Sequence, residues 1–294
     1  MTRSEAFTVD RLAGVMAGPI RRPDNFSKAA TGSIHDDDMA RKLGFQGGTV
    51  AGNIHCEQFP PLLEAAFGEG WRRTGGLSLY FLNATTDGEP VQAFVGPAED
   101  LGEGRRRAAV WMEKTDGTRV CEGTASVGGP DASSALRQRL ADVRPAHDLR
   151  ILAKSKVGDH VKAVPSRLDS AVVLPRLDMI TEPKPEYRDA TMHGERVAAP
   201  SVAIDALRVV EGPLFKTGDA FVGMFGAIEL QYVDGPIFVD HDYLADGRVV
   251  ALSESPKTEV VWYESTLHDG ATDRPVAQLI MMSRLLKGSS PLWG

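Results

Sequence analysis

The stretch "TGSIHDDDMARKLGFQGGTVAGNIH", residues 31–55, sets His35 before an acidic triplet and His55 at the end of a glycine-dense run. Imidazole is the side chain best suited to take and return protons near neutral pH. A glycine-dense run that leads into a helix leaves unpaired backbone N–H groups at the helix start, here led by that of Gly52. Such groups hold a carbonyl oxygen as it gains negative charge, so a histidine beside them is equipment for proton transfer next to an activated carbonyl. Asn53, His55, Cys56 and Glu57 fall in the first turns of the same helix. His55 and Glu57 are two residues apart and do not share a helical face; His55, three residues from Gly52, is the one expected to face a ligand. Asp24 and Asp36 to Asp38 are further sources of a carboxylate, although Ser33 or Asp36 serves equally well as a helix cap. Nothing in the sequence marks Cys56 as a reactive thiolate.

Two kinds of element must position these groups. The segments "GGLSLYFLNATTDGEPVQAFVGP" and "GRRRAAVWMEKTDGTRVCEGTASVGG" read as strand, turn, strand, with turns at Asp87-Gly88 and Asp116-Gly117. The C-terminal region repeats that rhythm, with turn signals at Asp234-Gly235, Asp246-Gly247 and Asp269-Gly270. A helix precedes each set of strands. The first starts near Gly52, carries Ile54, Phe59, Leu62, Leu63 and Phe67, ends at Gly68, and must bend or restart at Pro60 and Pro61. The second, "SVAIDALRVV", spaces Val202, Ile204, Leu207 and Val210 along one face. One helix followed by several long antiparallel strands, twice, predicts an α+β fold of two similar units, residues 1–130 and 151–294, joined by a small and polar linker over 131–150.

The bulk composition narrows the function. Of the 294 residues, 42% are hydrophobic and 25% charged, and no run approaches the roughly 18 apolar residues of a membrane span. The N-terminus lacks the apolar core of a secretory signal, so a cytoplasmic setting is expected. Cys56 and Cys121 alone support neither a disulfide framework nor a zinc site. A net charge of -7 argues against nucleic acid or an anionic membrane as partner. The basic clusters at Arg72 and Arg73 and at Arg105 to Arg107 are candidates for the phosphates of a ligand. With no phosphate-binding glycine loop, metal-ligand cluster or G-x-S-x-G elbow, no metal and no bound cofactor are expected.

The segment "IHDDDMARKLGFQGGTVAG" resembles the hydratase motif of the MaoC-like, hotdog-fold enoyl-CoA hydratases and dehydratases, including the R-specific hydratases. The doubled element order is similar to that of the double-hotdog members. The resemblance implies two long antiparallel sheets, each wrapped around a central helix, with His35 as catalytic acid/base and the Gly52 amide as oxyanion donor. It implies a lyase that adds or removes water, or another β-leaving group, at an acyl-CoA thioester that enters as a small-molecule substrate. It also departs from that family's pattern. Ala30 stands where the catalytic aspartate would be, five residues before the histidine, and Ala51 stands where a histidine commonly precedes the oxyanion glycine. His55 and Glu57 are the expected compensating groups, with Asn53, Arg72 and Arg73 on the substrate. Two other readings remain open: a hotdog thioesterase using Glu57, and a non-catalytic acyl-binding protein. The second half, "PEYRDATMHGERVAAPSVAIDAL", has Asp189 and His193 upstream of a similar helix start but no "IH" loop, and is expected to wall the binding tunnel. A homo-oligomer, at simplest a dimer, is the expected assembly.

Overall fold

The computed structural model describes residues 10–12, 14–192, 194–217 and 220–294. In the first half the strands are β1 (Asp10–Leu12), β2 (Val15–Ala17), β3 (Gly76–Phe81), β4 (Val91–Val95), β5 (Glu99–Gly102), β6 (Arg105–Lys114) and β7 (Arg119–Val127). In the second they are β8 (His160–Arg167), β9 (Gly223–Tyr232), β10 (Asp242–Glu254), β11 (Thr258–Asp269) and β12 (Pro275–Leu286). The helices are α1 (Asp37–Lys42), α2 (Gly52–His55), α3 (Pro60–Phe67), α4 (Trp71–Thr74), α5 (Ala135–Ala141), α6 (Ser170–Arg176), α7 (Pro185–Arg188), α8 (Pro200–Arg208) and α9 (Glu211–Leu214).

The strand order is β1-β2-β4-β6-β7-β3-β9-β12-β11-β10-β8, with β5 paired to β6. Apart from the short β1 and β5, the first half reads β2-β4-β6-β7-β3 and the second, from its outer edge, β8-β10-β11-β12-β9. Both are first, third, fourth, fifth, second, with the central helix in the connection between first and second strands. This is the duplicated α+β arrangement of a double hotdog. The two sheets are also fused into one, because β3 and β9 pair antiparallel from Gly76↔Gln231 to Tyr80↔Ala227. Each would otherwise be an edge strand with unpaired backbone groups, and each covers the other's edge.

The first central helix is broken where the prolines require. After α2 comes a 3-10 turn at Cys56–Gln58, and Pro60 and Pro61 then open α3, where a missing N–H costs no helical bond. Phe59, Leu62 and Leu63 are fully buried against the sheet. In α8, Val202, Ile204 and Leu207 are buried, but so are Ser201, Ala203 and Ala206, so the helix is enclosed on most sides rather than along one face, and Val210, also buried, lies beyond its end.

The predicted linker is not a tether. Its helix α5 is capped by Ser134 and lays the fully buried Leu136 on the outer face of the fused sheet, against Ala227, Val260, Trp262, Ile280 and Met282. That burial is worth roughly 1.5–3 kcal/mol. Just beyond it, the buried Glu259 carboxylate accepts the N–H groups of Arg150, Ile151 and Leu152, each at 2.8 Å. The segment thus straps the two halves together.

The Asp-Gly pairs divide into several cases. Asp116-Gly117 and Asp269-Gly270 join strands that pair with each other, β6 to β7 and β11 to β12. Asp87-Gly88 and Asp234-Gly235 lie in connections whose strands are not neighbours, since β3 and β9 pair with each other instead. Asp246-Gly247 is no turn at all but lies within β10, where the register with β8 shifts and Asp246 accepts the Ala163 N–H. A local turn signal cannot distinguish these cases, because strand order is decided by packing.

No helix among the described residues is long and apolar enough to cross a membrane. Cys56 and Cys121 are both buried and free.

Candidate active site

The loop from Asn25 to Gly52 is tied down by its own backbone. Thr49 N–H donates to Ile34 O at 2.8 Å, Val50 N–H to Thr85 O at 2.9 Å, and Asn25 Nδ2 to His35 O at 2.8 Å. The glycines allow close approach. A Cβ on Gly48 would fall 2.3 Å from His35 O, and one on Gly52 would fall 2.9 Å from the Phe81 ring.

The acidic triplet serves the backbone. Asp36 caps α1 and accepts from Gly32 and Asp38 N–H, and Asp37 accepts from Gly48 N–H. These bonds, chiefly those from Gly32 and Gly48, hold both carboxyls below the usual range.

His35, Thr49, Ala51, Gly52, His55, Phe81 and Thr85 border a cavity of about 340 Å³. The second half closes it with Arg208, Glu211, Phe215, Phe221, Phe225 and Arg284, among others. His35 also borders a second, polar pocket with Asn25, Lys28, Asp36, Asp37 and Asp87.

The His35 ring is oriented by a carbonyl. Its Nδ1 lies 2.7 Å from Thr49 O. A carbonyl only accepts, so Nδ1 carries the proton and Nε2 of the uncharged ring keeps its lone pair. Among the described residues no carboxylate bonds the ring. The ring is held by a main-chain oxygen, and Ala30 is exposed.

Gly52 follows Ala51, which is in extended backbone, so its N–H opens α2 at the cavity wall. His55 is buried with Nε2 2.8 Å from Thr85 Oγ1, and burial pushes its pKa down to about 4. The ring is therefore neutral at physiological pH.

Several sequence candidates lie elsewhere. Glu57 is fully buried, does not line the cavity, and accepts the Ser201 N–H at 2.6 Å, so it caps the start of α8. Burial raises its pKa to about 7, opposed by the Ser201 hydrogen bonds. Asn53 is also buried at that junction, its Nδ2 3.4 Å from Ser201 O. Cys56 is buried, which pushes its thiol pKa well up and leaves it a poor nucleophile.

Arg72 is ion-paired with Glu64 and Glu186, and Arg73 with Asp234 at 3.2 Å; neither lines the cavity. Both were expected on the substrate; each is instead paired with nearby acids and lies away from the cavity. Arg105 faces Glu103 and Arg107 faces Glu99, while Arg106 donates to Ala66 O and Phe67 O. In the second half Asp189 is exposed, and His193 lies outside the described residues.

Sequence reasoning missed Thr85, Glu211, Arg208 and Arg284. Thr85 sits in a connection with no motif. The two arginines and Glu211 belong to a half read as scaffold; the available signal was Arg284, a charge inside the apolar run "AQLIMMSRLL".

Neither a family model nor any curated protein sequence matches the chain. Solved structures do match it. A MaoC domain protein from Chloroflexus aurantiacus J-10-fl superposes with a TM-score of 0.60 at 11% identity, covering 97% of this chain and 99% of that one. Rv0216 of Mycobacterium tuberculosis, described as having a double hotdog fold, gives 0.57 at 15% identity, covering 95% and 96%. The dehydratase domain of PpsC from Mycobacterium tuberculosis, solved with C12:1-CoA, gives 0.50 at 13% identity, covering 96% and 97%. At these identities the likeness is one of fold.

Proposed function

We propose that this double-hotdog chain reversibly adds water across the α,β-double bond of an acyl thioester, or removes it, as a hydratase or dehydratase. The observation that carries the reading is the His35 Nδ1 to Thr49 O hydrogen bond, which leaves Nε2 as the free ring nitrogen of a side chain lining the same cavity as the Gly52 amide.

In the hydration direction, Nε2 takes a proton from water as the water oxygen bonds to the β-carbon. The double-bond electrons move to the thioester oxygen, where the Gly52 N–H stabilises the enolate. The imidazolium then returns its proton to the α-carbon. One histidine thus acts as base and then acid, with a carbonyl rather than a carboxylate holding it. The aromatic walls Phe81, Phe215, Phe221 and Phe225 suit an acyl chain. The C12:1-CoA complex of the similar PpsC dehydratase domain supports a thioester of this class.

A thioesterase built on Glu57 fits less well, because that carboxyl is buried and committed to Ser201. The test is turnover of a panel of trans-2-enoyl-CoA thioesters, read both as loss of the conjugated chromophore and as free thiol. Chromophore loss without thiol release is expected. Thiol release would indicate hydrolysis, and tight binding with neither change would indicate a binding protein; either result overturns the proposal.

A further inference from the structure

The side chains of fixed charge among the cavity-lining residues are Arg208, Glu211 and Arg284. The first two neutralise each other. Arg208 Nε and Nη2 donate to the two Glu211 oxygens at 2.9 and 2.8 Å, its Nη1 reaches Asp205 at 3.3 Å, and the Tyr263 hydroxyl donates to Glu211 at 2.6 Å.

Arg284 has no such counter-charge among the described residues. Its Nη2 donates to Tyr80 Oη at 2.9 Å, and its guanidinium carbon lies 5.3 Å from the centre of that ring. Room is made for it by Gly226, where an added Cβ would fall 2.7 Å from the arginine Nε. The same Gly226 position meets Met282 Cε at 2.8 Å, and Met282 packs with Leu136 on the outer face, so the Arg284 side chain leaves the sheet on that face, at the rim of the cavity.

A guanidinium offers five N–H donors in a planar fork that matches carboxylate and phosphate oxygens. A half-buried charge without a counter-ion is costly to keep next to an apolar cavity, and an anionic ligand offsets that cost.

We infer that Arg284 receives an anionic oxygen group of the ligand, so that the substrate is an acidic thioester, the charge being either a carrier phosphate or a carboxylate on the acyl part. The inference rests on the reading of the cavity as a thioester site and adds to it the group that selects the ligand.

The test is calorimetric binding of three probes to the native chain, Arg284→Gln and Arg284→Lys: crotonyl-CoA, the neutral crotonyl N-acetylcysteamine thioester, and the fumaryl N-acetylcysteamine monothioester, whose acyl part bears a carboxylate. Arg284→Gln is expected to weaken an acidic probe by about ten- to hundredfold, the range for a charged hydrogen bond, with partial recovery in Arg284→Lys and unchanged binding of the neutral probe. Weakening of crotonyl-CoA alone assigns the anion to the carrier phosphates, and weakening of the fumaryl probe alone assigns it to the acyl carboxylate. Equal binding of all probes by native and Gln forms overturns the inference. Equal loss of all three, the neutral probe included, also overturns it by marking Arg284 as structural. Turnover is not read, so a chain that binds acidic thioesters through Arg284 without hydrating them would refute the hydratase proposal and leave this inference standing.

Discussion

At Thr49–Gly52 and at 197–200 the chain makes the same approach to a central helix. Thr49 N–H reaches Ile34 O and Val50 N–H reaches Thr85 O; in the second half Val197 N–H reaches Glu186 O and Ala198 N–H reaches Ile237 O. Isolated bridges Thr49↔Thr86 and Val197↔Phe238 repeat the correspondence. By this register His35 corresponds to Tyr187, Gly52 to Pro200, His55 to Ala203 and Thr85 to Ile237.

Three of these exchanges remove a polar group, and the fourth buries one. Proline has no N–H to offer, Tyr187 is buried, and the next amide, Ser201 N–H, is occupied by the Glu57 carboxyl of the first half. One helix start faces a cavity and the other is sealed. The comparison separates what the fold needs from what it tolerates. A buried histidine paired with a threonine is not needed to build this approach, since alanine and isoleucine build the second one. The His55–Thr85 pair is kept where the cavity is.

Removing the groups that the open half alone presents tests this directly. The largest effect is expected from His35→Ala, which should cut kcat/KM for an enoyl thioester by roughly 10²–10⁴ while leaving the melting temperature near that of the native chain. Gly52→Pro, the residue of the sealed start, deletes the proposed oxyanion N–H and should cost about 10²–10³ in kcat, with part of the loss due to the crowded Phe81 ring.

The double variant His55→Leu, Thr85→Val should lower turnover by about tenfold and leave urea stability within about 1 kcal/mol, because replacing both members of a buried polar pair by apolar groups of similar shape is near neutral. A large loss of stability would make the pair structural after all.

Glu57→Gln acts on the other side of the comparison. The native carboxyl titrates near 7 in the folded chain, above its ordinary 4.5. Between those values the folded state holds a proton that the unfolded state releases, so stability falls as pH rises from 4.5 through 7, by a total on the order of 3 kcal/mol. Glu57→Gln keeps an acceptor for the Ser201 N–H and should flatten that slope in melting curves at pH 5 and pH 8. The smallest effect is expected for Arg73→Ala: its pair with Asp234 is largely exposed, so KM for an enoyl-CoA should stay unchanged and stability should move by no more than about 0.5 kcal/mol.

Much of this was legible in the sequence, for reasons that are local. The glycines of "GFQGGTVAG", the prolines at 60 and 61 and the apolar content of "SVAIDALRVV" each report a backbone requirement or a buried helix within a few residues. The duplication was legible as element order, and the placement of His35 and Gly52 on one cavity follows from a loop and helix start contiguous in the chain.

What was not legible is long-range. The pairing of β3 with β9, the Glu57 carboxyl at the start of α8 and the local acids around Arg72 all depend on which distant segments meet. So does the Thr49 carbonyl, a main-chain atom that no residue type announces. Ala30, read as standing in place of an acid, pointed to His55 and Glu57, whereas the structure holds His35 by the Thr49 backbone and sets Glu57 on the Ser201 N–H of the other half.

The central claim, one helix start open for catalysis and its counterpart sealed, is tested most directly by a crystal structure of the chain with an enoyl thioester or a non-reactive analogue. The account predicts the thioester carbonyl oxygen at about 2.7–3.1 Å from the Gly52 nitrogen, with His35 Nε2 facing the reacting carbons. A ligand whose carbonyl is held away from Gly52, or seated at Ser201 in place of Glu57, would contradict it.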